Sequence, residues 1–272
     1  MSNTHSKGTA LVTGASSGIG AVYADRLAKR GYDLILAARD EDRLDTLAAR
    51  LRSETGVKVD VIKTDLTQRD DIVRLEARLR DDDAISLLIN NAGAALFGDF
   101  ADADPDALEG LVQLNVVAVT RLAQAASAGF LRRGRGTIVN ISSIVGLAPE
   151  LFPGSVYGAT KAYVTYLTQT LHAQLAPQGL TFQAVLPGAT RTEIWDRSGR
   201  GIENVPDEIL MPVDELVDAA LAGLDKGELI TIPSLPDPAD WATVEAARLK
   251  LAPNLSAKHP ADRYGVRVTE AA

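Results

Sequence analysis

Thr13-Gly14-Ala15-Ser16-Ser17-Gly18-Ile19-Gly20 is the stretch that decides the fold. The apolar run Thr9–Thr13 leads into it and the helical stretch Gly18–Arg30 leaves it, so glycines punctuate a strand-to-helix turn. Such a turn lets backbone come close to an anion, which the unpaired N–H groups and dipole of the helix start attract. Two chemistries use this arrangement. One cradles a dinucleotide pyrophosphate, although the spacing Gly-x-x-x-Gly-x-Gly differs from the usual fingerprint. The other is the nucleophile elbow of α/β-hydrolases, Gly-x-Ser-x-Gly, which residues 14–18 also satisfy with Ser16 as nucleophile. Against the elbow, it would fall on the first strand, and no acid–histidine pair stands near a strand end. His172 lies inside a predicted helix and His259 in the tail. Nucleotide binding is the better reading.

Outward from this turn, strands and helices alternate. Asp33–Ala38, Val57–Lys63, Ile85–Ile89, Thr137–Ile141, Leu180–Leu186 and Leu229–Ile232 read as further strands. Helical spacing marks Glu41–Arg52, Asp70–Arg80, Asp106–Leu131, Val156–Leu175 and Asp214–Lys226 between them. This rhythm specifies right-handed βαβ units: an α/β, doubly wound fold of about seven parallel strands with helices on both faces. A single domain over residues 1–272 is expected. The long connection 193–212 breaks the rhythm and is a candidate substrate-binding loop. Residues 233–272, with a helix near Ala239–Leu251, form a C-terminal extension.

Composition narrows the partners. The 272 residues are 46% apolar and 24% charged, with a formal net charge of −8 and no block of basic residues. Neither nucleic acid nor an anionic membrane surface is favoured. Without cysteine there is no disulfide, thiol catalysis or thiolate metal site, and His5, His172 and His259 show no ligand spacing. The start is polar, and no apolar run approaches the ~20 residues needed to span a bilayer. A cytoplasmic protein without bound metal is expected.

Tyr157 and Lys161 stand four apart on a predicted helix, one turn from each other on the same face. A lysine ammonium about 5 Å from a phenol favours the phenolate by roughly 3 kcal/mol at an effective dielectric near 20. That would bring Tyr157 from its usual pKa of about 10 into acid–base range. By itself the pair is also what any amphipathic helix can carry.

The company it keeps is more specific. In order along the chain stand Thr-Gly-Ala-Ser-Ser-Gly-Ile-Gly at 13–20, Asp65-Leu66, Asn90-Asn91-Ala92-Gly93, Asn115, Ile141-Ser142-Ser143, Tyr157-x-x-x-Lys161, and Pro187-Gly188 with Thr192. From Thr13 to about Thr192 the chain resembles the short-chain dehydrogenase/reductase family in its compact single-domain branch. The resemblance implies a Rossmann-type domain and an NAD(P)-dependent oxidoreductase that interconverts a carbonyl and a secondary alcohol. Gly14, Ser16, Ser17, Gly18, Ile19 and Gly20 would hold the pyrophosphate. Asp65 would meet the adenine with Leu66 beside it, and Asn91, Ala92 and Gly93 would wall the adenosine ribose. Pro187, Gly188, Thr190 and Thr192 would orient the nicotinamide. Asp65 could instead cap a helix, and Asn90-Asn91 could hold a tight turn.

Cofactor choice is expected at the end of the second strand, Leu36-Ala37-Ala38-Arg39-Asp40. An acid there selects NAD, and a basic residue marks NADP. The acid's place is taken by Ala38 and the guanidinium of Arg39 follows, so NADP(H) is favoured over NAD(H). Asp40 is the counter-argument, unless it is the N-cap of the helix beginning at Glu41. By resemblance Tyr157 is the acid–base, Lys161 tunes it and holds the nicotinamide ribose, and Ser143 binds the substrate oxygen. Asn115 would hold a water in a relay to Lys161. Ser143 lies 14 residues before Tyr157, one more than is commonest, which makes Ser142 a competitor.

Substrate walls are expected from Leu96–Phe97, Leu147–Phe152 and Ile194–Met211, mostly apolar, for a small carbonyl or alcohol substrate of moderate apolarity. A homodimer or homotetramer is implied, through the helices at 106–131 and 156–175. The alternative from another class is a nucleotide-sensing protein without turnover, which would not need Asn115, Ser143, Tyr157 and Lys161 together.

Overall fold

The computed structural model describes residues 7–150 and 155–266. Seven strands form one parallel sheet: β1 (Thr9–Thr13), β2 (Asp33–Ala38), β3 (Val59–Lys63), β4 (Ile85–Asn90), β5 (Gly136–Ile141), β6 (Leu180–Val185) and β7 (Ile230–Thr231). Their spatial order is β3-β2-β1-β4-β5-β6-β7, so the winding reverses beside β1. A crevice opens at such a reversal beyond the carboxyl ends of the strands. The expected doubly wound α/β fold is therefore observed.

Two apolar layers sandwich the sheet because strand residues alternate in direction. Ala10 and Val12 of β1 face a cluster with Leu27 of α1 (Gly18–Lys29), Leu44 of α2 (Glu41–Thr55) and Leu221. Leu11 faces the opposite cluster, with Leu75 of α3 (Arg69–Asp81) and Phe182 of β6. A slip of β1 by one residue would send Leu11 and Val12 to the wrong layers, so the register is fixed. With it the position of the turn at 14–20 is fixed as well.

Most boundaries shift by a residue or so from the sequence reading, and two regions differ more. Helix α2 runs to Thr55, stopped by Gly56 in the left-handed conformation (φ 73°), and β3 starts only at Val59. The stretch expected as one helix from Asp106 is three pieces: α4 (Pro105–Val112), a wide π-type turn at Gln113–Ala118, and α5 (Val119–Arg133). Taken as one rod, Pro105–Arg133 is long and apolar enough to cross a membrane by length and composition, contrary to the expectation that no stretch is. Leu111, Leu122, Ala126 and Phe130 are instead buried in the core.

The remaining helices are α6 (Ser155–Leu175), α7 (Ile194–Arg197), α8 (Val213–Asp225), which carries Leu221, and α9 (Pro238–Leu249). The chain divides into two compact units, Met1–Pro233 and Ser234–Ala272. In the second, Asp237 caps α9 by accepting the Ala239 N–H at 2.8 Å, and the described residues beyond α9 form short turns.

Candidate active site

A cavity of about 1070 Å³ lies at the carboxyl ends of the strands. Its floor begins at the glycine turn, which is shaped by close backbone approach. Gly14 has φ 65°, and a Cβ there would sit 2.8 Å from Asn91 Nδ2 and 2.9 Å from the Ala92 Cα. A Cβ on Gly20 would stand 2.3 Å from the Gly14 carbonyl oxygen, so neither position tolerates a side chain without a shift. The Asn91 side chain donates to the Thr13 and Gly14 carbonyls at 2.9 and 3.2 Å. Asn91 and Ala92 donate their N–H groups to Thr13 Oγ1, each at 3.0 Å. Asn91 thus holds a turn and lines the cavity at once. Thr13 Oγ1 is the tie that the sequence reading assigned no role. Ser17 caps α1 without a side-chain hydrogen bond, leaving the helix's first-turn N–H groups without that acceptor at the cavity edge.

At one end of the cavity stand Arg39, Asp40, Asp65 and Leu66. Arg39 is exposed and makes no hydrogen bond or ion pair among the described residues. Asp40 is the N-cap of α2, accepting from the Arg43 N–H at 3.1 Å, as the simpler reading had it. The Asp65 carboxylate accepts from the N–H and hydroxyl of Thr67 at 3.0 and 2.8 Å, a local turn rather than a helix cap, since Gln68 caps α3. Arg43 reaches across to Glu193, with both carboxylate oxygens at 2.9 and 3.0 Å.

The other end gathers Ser143, Tyr157 and Lys161. The two serines differ in their hydrogen bonds. Ser142 is buried, donates to the Lys161 carbonyl at 2.7 Å and contacts Thr165 Oγ1 at 2.7 Å. Ser143 donates to the Pro187 carbonyl at 3.3 Å and lies beside Tyr157, whose proton affinity it lowers. Lys161 donates its Nζ to the Ile141 carbonyl at 2.8 Å, which anchors the ammonium to the end of β5. Asn115 sits in the π-type turn, where its amide donates to the Ala94 carbonyl (2.9 Å) and Thr160 Oγ1 (3.1 Å) and accepts the Ala94 N–H (3.0 Å). A Cβ on Gly93 would meet Asn115 Oδ1 at 3.2 Å and Lys161 Nζ at 3.5 Å, so a glycine separates the two groups. Thr160, unremarked in the sequence, donates to the Tyr157 carbonyl at 2.7 Å and so ties Asn115 to the tyrosine's own turn.

The electrostatic expectation for this pair is corrected. The Lys161 ammonium lies 5.8 Å from the Tyr157 ring, close to the assumed spacing, yet the tyrosine is pushed up to about 12. Burial outweighs everything else, with the Ser143 hydrogen bond drawing it back in part. Burial likewise lowers Lys161 to about 8. The sequence estimate kept a partly wet dielectric and charged the lysine without cost. Removing both side chains from water penalises phenolate and ammonium together.

Pro187, Gly188, Thr190 and Thr192 follow β6 along the cavity, and Thr190 holds the next segment by accepting the Trp195 indole N–H on its carbonyl at 2.8 Å. The connection 193–212 contains α7 and two short turns. Its Ile194, Trp195, Val205 and Ile209 line the cavity with Leu96 and Phe97, whereas Leu210 and Met211 do not. From the expected wall at 147–152, Leu147 is exposed and outside the lining, and Leu151 and Phe152 lie outside the described residues. Val145 takes that place, and α4 adds Leu111, which periodicity alone marked only as helix interior. Trp195 stacks on Phe97 (5.8 Å, 6°), and Phe97 meets Tyr157 edge-on (6.1 Å, 71°).

The short chain dehydrogenase family model matches residues 8–202, and the chain belongs to that family of oxidoreductases. It is 52% identical to a short-chain dehydrogenase from Sphingobium yanoikuyae in complex with NADPH, with a TM-score of 0.92 over 94% of this chain and 99% of that one. A bulky-bulky ketone specific alcohol dehydrogenase from Comamonas testosteroni is 48% identical, with a TM-score of 0.88 over 96% and 99%. The very-long-chain 3-oxoacyl-CoA reductase of Anas platyrhynchos is 35% identical over 191 residues, 68% of this chain and 60% of that protein. The chain thus spans about three fifths of the length of that relative.

Proposed function

We propose that this chain is an NADP(H)-dependent oxidoreductase interconverting a ketone and a secondary alcohol, with Tyr157 as the acid–base. The observation that carries the reading is the convergence of Ser143, Tyr157 and Lys161 at one end of a cavity whose other end is a glycine cradle without room for a Cβ. A nicotinamide dinucleotide fits this cavity by the same observation, held at the pyrophosphate by Gly14–Gly20 and at the 2′-phosphate by Arg39. When bound it supplies or takes up the hydride.

The chain's own residues handle the proton and the developing charge. Ser143 donates a hydrogen bond to the substrate oxygen, and Tyr157 gives that oxygen its proton as charge builds on it. Tyr157 is protonated at neutral pH, as a donor to the ketone oxygen must be, and because burial raises it to about 12 its tyrosinate needs a cation beside it. Lys161 is fixed by Ile141, and protonated below about pH 8 it stabilises the tyrosinate left behind. Asn115 keeps the Gly93–Ala94 wall and Thr160 in place. Phe97, Trp195 and Leu111 exclude water around the reacting carbonyl.

Arg39 supports NADP(H). It is exposed, lines the cavity and has no internal partner among the described residues, while Asp40, the competing acid, is engaged as a helix cap. The Sphingobium and Comamonas relatives support the cofactor and a ketone with two sizeable substituents. The test is an NADPH-oxidation screen over ketones, aldehydes and quinones. Preferred ketones should give a kcat/KM with NADPH at least about tenfold that with NADH, and Arg39→Ala should remove most of the difference. A preference for NADH in the unmodified protein would refute the assignment of Arg39.

A further inference from the structure

We propose that Arg200 determines substrate specificity by pairing with a carboxylate, so that the preferred substrate is a keto acid whose carbonyl and carboxylate are separated by an apolar spacer. This rests on the carbonyl–alcohol reading above and names the substrate class for that site.

Three arginines lie along the connection after β6, and two are neutralised. Arg191 is paired with Asp207, and Arg197 with Glu193. Arg200 lines the cavity and has no carboxylate partner among the described residues. The acids nearest to it in sequence are turned to other tasks. Asp196 accepts the Ile202 N–H at 3.4 Å, and Glu203 folds over Gly201 and accepts from the Asn204 amide at 3.2 Å. The Arg200 guanidinium lies instead against two aromatic rings, 5.5 Å from the centre of Phe97 and 6.0 Å from that of Trp195.

This placement is suited to an anion. Stacking on both rings restrains the guanidinium, so less freedom is lost when a ligand pairs with it. Its remaining N–H groups can meet both oxygens of a carboxylate, a match that a neutral ester cannot make. Arg200 is exposed, so water screens the pair in part, and the cavity it lines also carries the apolar Leu96, Ile194, Val205 and Ile209 for the rest of the substrate. Phe97 is also the ring that meets Tyr157 edge-on at 6.1 Å. Arg200 and Tyr157 thus both border Phe97, so a substrate whose carbonyl meets Tyr157 and whose spacer runs along that ring would bring its carboxylate to Arg200.

The probe pair is 4-oxo-4-phenylbutanoate and its methyl ester, which differ only in the charge. Both can be titrated calorimetrically into the complex with NADP+, where no hydride is available and no turnover occurs. The acid should bind about tenfold more tightly than the ester, and Arg200→Met should bring it to the ester's level. With NADPH, the same variant should raise KM for the acid about tenfold, with kcat and the ester's KM within about twofold. In the unmodified protein, raising salt from about 0.05 to 0.5 M should weaken the acid several-fold and leave the ester unchanged. Equal binding of acid and ester by the unmodified protein, or an equal loss of both in Arg200→Met, overturns the proposal. If neither ketone oxidises NADPH, the oxidoreductase reading falls, and the titration still decides Arg200.

Discussion

The two sides of the cavity are built in different ways. On the sheet side, Ser143, Tyr157, Lys161 and Asn115 are all buried; Ser143, Lys161 and Asn115 are fixed by hydrogen bonds to backbone, and Tyr157 packs edge-on against Phe97. On the loop side, residues 193–209 are held by aromatic stacking and by exposed ion pairs such as Arg43–Glu193. Burial makes the first side rigid and shifts its proton affinities. Exposure makes the second adaptable, because surface ion pairs are worth only about 0–1 kcal/mol each. On the function proposed above, the chemistry falls where geometry is over-determined, and the choice of substrate where a few substitutions can change it.

The largest effect tests the buried side. Tyr157→Phe should lower kcat by about a thousandfold, within the range of general acid–base catalysis, while NADPH affinity changes less than about threefold. Undiminished turnover would remove the proposed acid. Next comes the cradle. Gly20→Ala forces a Cβ against the Gly14 carbonyl, and NADPH affinity measured by fluorescence titration should fall by about a hundredfold, with a stability loss of about 1–3 kcal/mol. Normal affinity would show that the turn can relax.

Burial itself is tested by pH. Lys161 titrates near 8 in the folded chain and near 10.4 when unfolded, so between those values the unfolded chain binds the extra proton. Stability conferred through this group therefore rises as pH increases from about 8 to 10. Above pH 10 the buried Tyr157, at about 12, acts the other way, because the unfolded phenol ionises first. Without bound nucleotide, the protein should gain on the order of 1 kcal/mol or more between pH 7.5 and 9.5 relative to Lys161→Met, read by urea unfolding. Parallel curves for the two proteins would mean that Lys161 is solvated.

The smallest effect belongs to the loop side. Glu193→Gln removes two ion pairs, to Arg43 and Arg197, whose side chains are all about half exposed, so KM should rise only about two- to threefold with kcat and Tm almost unchanged. A loss comparable to that of Gly20→Ala would show the two sides to be coupled, and would end the contrast.

Much of this was legible in the residues. The alternation of apolar runs and helical stretches specified the parallel sheet, since each period can bury only one kind of face. The turn at 13–20 and the Tyr157–Lys161 spacing are local features, and local features survive in sequence. The motif favoured Ser143 and left Ser142 a competitor, because the contacts that occupy Ser142, with Thr165 and the Lys161 carbonyl, lie about 20 positions away. Likewise Asp40 declared its role only once α2 began at the next residue and its carboxylate met the Arg43 N–H.

By itself, then, the sequence determined the fold class, the glycine cradle and the residues proposed for proton transfer, because backbone conformation and side-chain chemistry are written residue by residue. Tertiary structure alone decided the sign of the Tyr157 shift, the sharing of Phe97 between Tyr157 and Arg200, and the isolation of Arg200 from every acid among the described residues. Those depend on desolvation and on contacts between segments far apart in the chain, and neither exists until the chain has closed around them.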